Sequence, residues 1–294
     1  MRAFKDYHPI VNLIYFLAVI AFSVVFMHPV CIAISLFCSL VYSIILRGRQ
    51  AVMTLLIFML PLFVLTALLN PVFNHAGVTA LAYLPDGNPL TFESLLFGLC
   101  SAGMLVSVVC HFSCFGSVVS GEKFIYLFGR ILPSIALLIK MTFRFVPLFA
   151  CEIREVSNAQ KGIGKRMDGS LLQRAKAGVG ILSVMITKSL ENAVETASSM
   201  KSRGYGNGKR TAFSNYKFSS SDGTVLGATV LLFTLVLFGT IFGENSAQFF
   251  PKIKIAPITR ENAEFFIAYF ILLAMPIMIE IKEVWRWKKS RSKI

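Results

Sequence analysis

The sequence predicts an all-α polytopic membrane protein with about six transmembrane helices and a pair of long, crossed cytoplasmic helices. Three observations carry this. Of 294 residues, 55% are hydrophobic and only 15% charged, against about 25% charged in soluble domains. Six apolar stretches approach the roughly 20 residues that cross a hydrocarbon core. The 29 Lys and Arg residues are segregated along the chain. In a soluble protein a net charge of +14 would suggest nucleic acid; in a membrane protein it sets orientation, so no nucleic-acid partner is expected.

In chain order the expected spans are about 10–27, 30–46, 52–69, 94–114, 225–243 and 265–281. The first lacks a small-residue cleavage site, and the second follows after only His28-Pro29. It therefore reads as a span rather than a signal peptide, and the pair as the turn of a tight helical hairpin. Asn70-Pro71 is expected to end the third span, and Thr224 to open the fifth from the serine run 219–221.

Charge orients these spans. With the N-terminus inside, 26 cations fall inside and three (Lys252, Lys254, Arg260) outside, and residues 51–122 carry no Lys or Arg at all. The positive-inside rule then places both termini in the cytoplasm of a multi-pass cell-membrane protein. Residues 124–151 are also apolar, but hold Arg130, Lys140 and Arg144. A mid-bilayer cation costs about 2.5–3.5 kcal/mol on insertion scales. At about 100° per residue, Arg130, Arg144, Glu152 and Glu155 share a face with Lys140 at its edge. We expect an amphipathic helix at the cytoplasmic interface, Lys140 and Arg144 being its basic contacts with the bilayer.

The six cysteines lie in or beside apolar segments with no CxxC pair, as small buried hydrophobes would. His111 and Cys114 are one helical turn apart, but two ligands do not make a metal site; no metal or other cofactor is expected. No internal repeat argues for a secondary transporter of inverted halves. The nearest phosphate-loop lookalike, 204–210, has Arg203 where its first glycine belongs and Arg210 where Ser or Thr would hold Mg²⁺. The chain is therefore expected to be non-catalytic, taking energy from a partner.

The cytoplasmic stretch holds two helices. The first continues past Pro147 through 152–160 and stops in the turn Gly162 to Gly164. The second opens at Ser170-Leu171-Leu172-Gln173, with capping-box spacing, and ends at Gly204. Roughly 30 residues make about 45 Å of helix, too long for a simple connector. Ser189, Ala193 and Ala197 recur every four residues; small residues on one ridge let another helix cross closely. They mark the expected crossing, ordinary core alanines being the alternative. The organisation is thus 1–122 with spans one to four, 123–218 with the cytoplasmic helices, and 219–294 with spans five and six and a basic tail.

Several short motifs resemble one family. Tyr7-His8-Pro9 precedes the first span, Arg144-Phe145-Val146-Pro147 looks like an Arg-Phe-x-Pro element, and Ser202-Arg203-Gly204 ends the second cytoplasmic helix as the second of two x-Arg-Gly motifs would. The chain is similar over nearly its whole length to the transmembrane coupling (T) component of energy-coupling factor (ECF) ABC transporters, the cobalt-transport-permease-like family. The resemblance implies two ABC-type ATPase subunits bound from the cytoplasm and a separate small membrane subunit that captures a vitamin, metal or other micronutrient. It implies ATPase contacts at Ser202, Arg203 and Gly204, and at Ala159, Gln160, Lys161 and Gly164. The first motif departs from the pattern, with Ile163 where Arg is expected. Lys161, Lys165 or Arg166 is the alternative source of the cation, although lysine does not reproduce the planar fork of arginine; the departure points to two non-identical ATPases. The alternatives are a secondary carrier or channel, and a membrane scaffold whose basic segment binds anionic lipid.

Overall fold

In the computed structural model the described residues are 3–83, 89–129, 132–163, 171–208, 216–243, 245–255 and 260–291. They form a short 3₁₀ turn, Phe4–Asp6, and nine helices. These are α1 (Pro9–Val25), α2 (Pro29–Arg47), α3 (Arg49–Phe73), α4 (Phe92–Val118), α5 (Gly121–Gly129), α6 (Pro133–Gly162), α7 (Leu171–Ser202), α8 (Ser220–Ile241) and α9 (Arg260–Arg291). A two-stranded hairpin, β1 (Ala80–Tyr83) with β2 (Pro89–Thr91), follows α3, and a shorter one, β3 (Ala247–Gln248) with β4 (Lys254–Ile255), follows α8. The expected all-α polytopic class is borne out.

Local sequence explains the helix ends. His8 and His28 both precede a proline, and each imidazole accepts the N–H of the second helical residue, Ile10 or Val30, at 3.3 Å. Proline at the first helical position costs no hydrogen bond, because that N–H has no partner within the helix. The third helix runs past Asn70-Pro71 to Phe73 rather than stopping there. It accommodates Pro61 by widening into a π turn over Leu55–Met59, with Leu60 N–H bonding Leu55 O. Proline supplies no N–H and its ring crowds the carbonyl four residues back, so a wider turn relieves both.

Among the described residues six helices are long and apolar enough to cross a membrane: α2, α3, α4, α6, α8 and the Asn262–Arg286 stretch of α9. The 17-residue α1 is shorter. Length and composition thus admit α6 as a span, while its charges favour the interface.

The chain divides into two compact units, Met1–Phe124 with Tyr216–Ile294, and Ile125–Asn215. The first unit has an aromatic core. Phe4, Tyr15, Phe16, Phe26, Tyr269 and Leu272 are almost fully buried, and Phe22 stacks on Phe233 with centroids 4.9 Å apart. Three polar groups inside the bundle meet across helices: Ser35 Oγ lies 3.0 Å from Ser23 Oγ and 3.3 Å from His111 Nε2. Five cysteines are buried and free, whereas Cys151 is exposed on α6. No group of three or more His, Cys, Asp or Glu gathers among the described residues.

Arg47 closes the end of α2 against α4. Its Nε donates to Ser117 Oγ at 2.6 Å, Nη1 to Ser113 Oγ at 2.7 Å and Nη2 to Ser113 O at 2.8 Å. Hydrogen bonds from a charged donor contribute about 1.5–3 kcal/mol each when buried, less where water competes. Arg47→Ala is therefore expected to lower the thermal unfolding midpoint in detergent, with Arg47→Lys recovering only part of the loss; equal midpoints for wild type and Ala would refute this role.

Candidate functional site

The second unit is built around α6 and α7. One stripe on each helix is withdrawn from solvent: Phe145, Phe149, Glu152, Val156 and Gln160 on α6, and Ile181, Met185, Lys188, Asn192 and Thr196 on α7. Steps of three and four residues follow the 3.6-residue turn, so each stripe stays on one face. Lys188 Nζ meets Glu152 Oε1 at 3.2 Å, and a Cβ at Gly180 would stand 3.7 Å from Gln160 Nε2. Positions rising along α6 meet positions falling along α7, so the two helices pair antiparallel through these residues.

This places the expected crossing ridge differently. Ser189 is half-buried, its Oγ bonded to Met185 O at 2.6 Å, but Ala193 and Ala197 are exposed. Every fourth residue overshoots the helical turn by about 40°, which carries Ala193 and Ala197 about 80° and 120° around from the buried Met185. The same rotation splits the expected polar face of α6. Glu152 is buried against α7, whereas Arg144, about 80° away, stands exposed with Lys140 and Glu155. The ion pair and the Ile181–Met185 contact were missed at the sequence level; the spacing 181, 185, 188, 192, 196 is the signal that could have revealed them.

The C-terminal end of α7 is sharply defined. Gly204 has φ +83°, its N–H bonds Lys201 O at 3.0 Å, and Tyr205 N–H reaches back to Met200 O at 3.0 Å. This is the Schellman closure expected where glycine takes the left-handed conformation after a helix. Arg203 N–H bonds Ser199 O at 3.1 Å, so the Arg203 backbone still belongs to the helix while its exposed side chain projects from the end. Among the described residues its guanidinium has no ion-pair or side-chain hydrogen-bond partner. Ser202 Oγ is tied back to Ser198 O at 3.0 Å. Leu190, Glu191, Val194, Glu195 and Ser198 continue from Ser202 up an exposed face of α7.

The end of α6 is different. Ile163 is 80% exposed, and its N–H bonds Ala159 O at 3.2 Å. Lys161 and Ala159 are exposed, but Gln160 is half-buried and faces Gly180 of α7. Gly164 lies outside the described residues, as do Arg130 and the Ser170 cap. The two helix ends thus offer unlike surfaces: α7 ends on Arg203 with a glycine closure, whereas α6 carries Lys161 in its last turn and ends on the exposed Ile163.

Together, fold and helix pair define a multi-pass helical membrane protein that carries a long antiparallel helix pair, with an exposed arginine following its second helix. The sequence matches the family "CbiQ: Cobalt transport protein" over residues 5–213, and the chain belongs to that family. Its similar relatives include the "Energy-coupling factor transporter transmembrane protein EcfT" of Lactobacillus helveticus (strain DPC 4571), 39% identical over 105 residues covering 35% of this chain and 38% of the relative. The protein of the same name from Bacillus selenitireducens (strain ATCC 700615 / DSM 15326 / MLS10) is 34% identical over 121 residues, 40% of this chain and 45% of the relative. The chain thus spans about two fifths of the length of these relatives. The resemblance to T components drawn from the motifs is borne out by these matches.

Proposed function

We propose that this chain is the transmembrane coupling subunit of an ECF-type ABC importer for a vitamin, metal or other micronutrient. It transmits the closure of two ATPase subunits to a separate substrate-binding membrane subunit and has no catalytic activity of its own. The observation that carries this reading is the end of α7, where the glycine closure leaves Arg203 exposed, unpartnered among the described residues and followed by a residue without a side chain. A guanidinium held this way suits a groove lined by carboxylate or carbonyl oxygens. The unlike ends of α6 and α7 favour two non-identical ATPases.

The outward faces of the hairpin support a membrane-side partner. Leu138 and Val146 on α6, and Leu182, Ile186, Leu190 and Val194 on α7, are exposed. Apolar surface on this scale marks contact with lipid or protein. The Glu152–Lys188 pair holds the C-terminal half of α6 beside α7, a helix with Arg174, Lys176, Glu191, Glu195 and Lys201 exposed. Burying α6 across the bilayer would draw such charges toward hydrocarbon, so α6 belongs at the cytoplasmic interface, where Lys140 and Arg144 meet lipid headgroups.

Copurification tests the function: from mild detergent the chain should bring out ABC-type ATPases and a small membrane protein, and their absence from complexes stable in lipid would overturn the reading. Cysteine accessibility tests the orientation. With native cysteines replaced, Ala82→Cys should react with an impermeant reagent in intact cells, and Asn207→Cys only after permeabilisation. External labelling at 207 would contradict the cytoplasmic placement of the hairpin.

A further inference from the structure

The N-terminal turn makes contacts that neither the motifs nor the proposed coupling role account for. Phe4 is fully buried, with its ring 5.1 Å from Tyr15 on α1 and 6.4 Å from Tyr42 on α2. Its N–H donates to Glu280 Oε1 of α9 at 3.1 Å. The ammonium of Lys123, on α5, is buried and donates to Lys5 O. With its amide turned so that nitrogen donates to Phe4 O at 3.1 Å, the buried Asn12 accepts from Lys123 Nζ at 2.8 Å. Burial pushes the pKa of Lys123 down, and the nearby Asp6 carboxylate pulls against it. On the other side, His8 N–H donates to Asp222 Oδ1 at 2.9 Å, and the His8 ring packs 5.4 Å from Phe218. Asp222, on α8, is itself buried and takes the N–H and Oγ of Ser219 at 2.7 Å each.

Lys123 and Asp222 are not neighbours in sequence; they flank the second unit, Ile125–Asn215. One six-residue turn therefore grips the chain just before it leaves the first unit and just after it returns. Burying a lysine and an aspartate at such positions is costly unless each is bonded, and here one bond of each runs to the same short segment.

We infer that residues 3–8 form a shared anchor for the two crossings of the hairpin unit, held by Lys123 and Asp222. Both chain connections that lead to α6 and α7 are thereby tied, within the first unit, to α1, α2 and α9 by the same segment. The anchor stands independently of the coupling role; its use in transmission rests on that role.

Hydrogen exchange on the full chain in lipid nanodiscs tests the anchor without any partner. Lys123→Met removes only the α5 side of it. If the anchor is shared, exchange of the His8, Ser219 and Asp222 amides should rise about tenfold or more, together with residues 120–124, while α4 stays protected. Asp222→Asn should loosen 120–124 reciprocally. Faster exchange confined to the substituted side would overturn the inference. Should Lys123→Met fail to fold, shown by lost protection in α4, Asp6→Asn removes only the opposing charge and should produce a weaker change at both crossings; a change at 120–124 alone would again overturn it. In complexes with copurifying ATPases, Lys123→Met should keep ATP hydrolysis within about twofold and abolish the ATP-dependent change in exchange of Pro9–Val25 seen in wild type. An ATP response unaltered by the substitution, or absent in wild type, would remove the transmission role while leaving the anchor to be judged by the first measurement. A chain that recruits no ATPase would instead count against the coupling function.

Discussion

Arg203→Ala is expected to abolish recovery of ATPase subunits with the protein and to stop transport, while the chain still inserts and α7 keeps its closure. The closure is made by backbone groups of Met200, Lys201, Gly204 and Tyr205, so it does not need the Arg203 side chain. Were Arg203 only a charge complementing the helix dipole, it would contribute about 0.3–1 kcal/mol, and lysine would serve nearly as well. Removing one member of a buried charged pair at an interface costs about 2–5 kcal/mol, roughly 30- to 5,000-fold in affinity. The two explanations separate at Arg203→Lys, which cannot restore a bidentate fork. That variant should remain clearly defective in copurification and uptake; wild-type behaviour would leave the dipole as the whole explanation. Gly204→Ala should be impaired as well, because φ +83° strains any residue with a side chain.

Gly98→Ala should destabilise the membrane unit far more than the same methyl added at Gly116 on the same helix. A Cβ at Gly98 would stand 2.8 Å from Ala67 O, 3.0 Å from Asn70 Cβ and 3.3 Å from Pro71 Cδ. The first of these is backbone, so relief requires α3 and α4 to move apart. Their crossing is also held by Asn70 Nδ2 donating to Ser101 Oγ at 3.1 Å. Overpacking of this kind costs about 1–3 kcal/mol, and Gly98→Leu should exceed it. Gly116, on the same helix, meets nothing within 4 Å, and Ala there should be neutral or stabilising by up to about 1 kcal/mol. Thermal unfolding in detergent provides the comparison; equal midpoints for the Ala variants at 98 and 116 would show that the close crossing is not limiting.

The sequence by itself determined the class, the approximate spans, the non-random charge and the end of α7. Each depends on local composition or on a few adjacent residues: a run of apolar side chains, His-Pro before a helix, glycine after one. Family membership was legible for the same reason, since Arg144-Phe145-Val146-Pro147 and Ser202-Arg203-Gly204 are contiguous.

Tertiary structure alone decided which faces meet. The period-four ridge at 189, 193 and 197 could not reveal its own rotation, and only the neighbour α6 shows that the contact follows Ile181, Met185 and Lys188. Glu152 carries the same charge as Glu155 and lies three residues away, yet one is buried against Lys188 and the other is exposed; nothing in their local sequence separates them. Pro71 marks a stop by its chemistry, since it supplies no N–H to the carbonyl four residues back, yet α3 continues to Phe73. The grip of residues 3–8 on Lys123 and Asp222 joins positions more than a hundred and more than two hundred residues apart. Such pairings are set by how the helices close on one another, because the cost of leaving a buried charge unbonded is met only when distant segments arrive together.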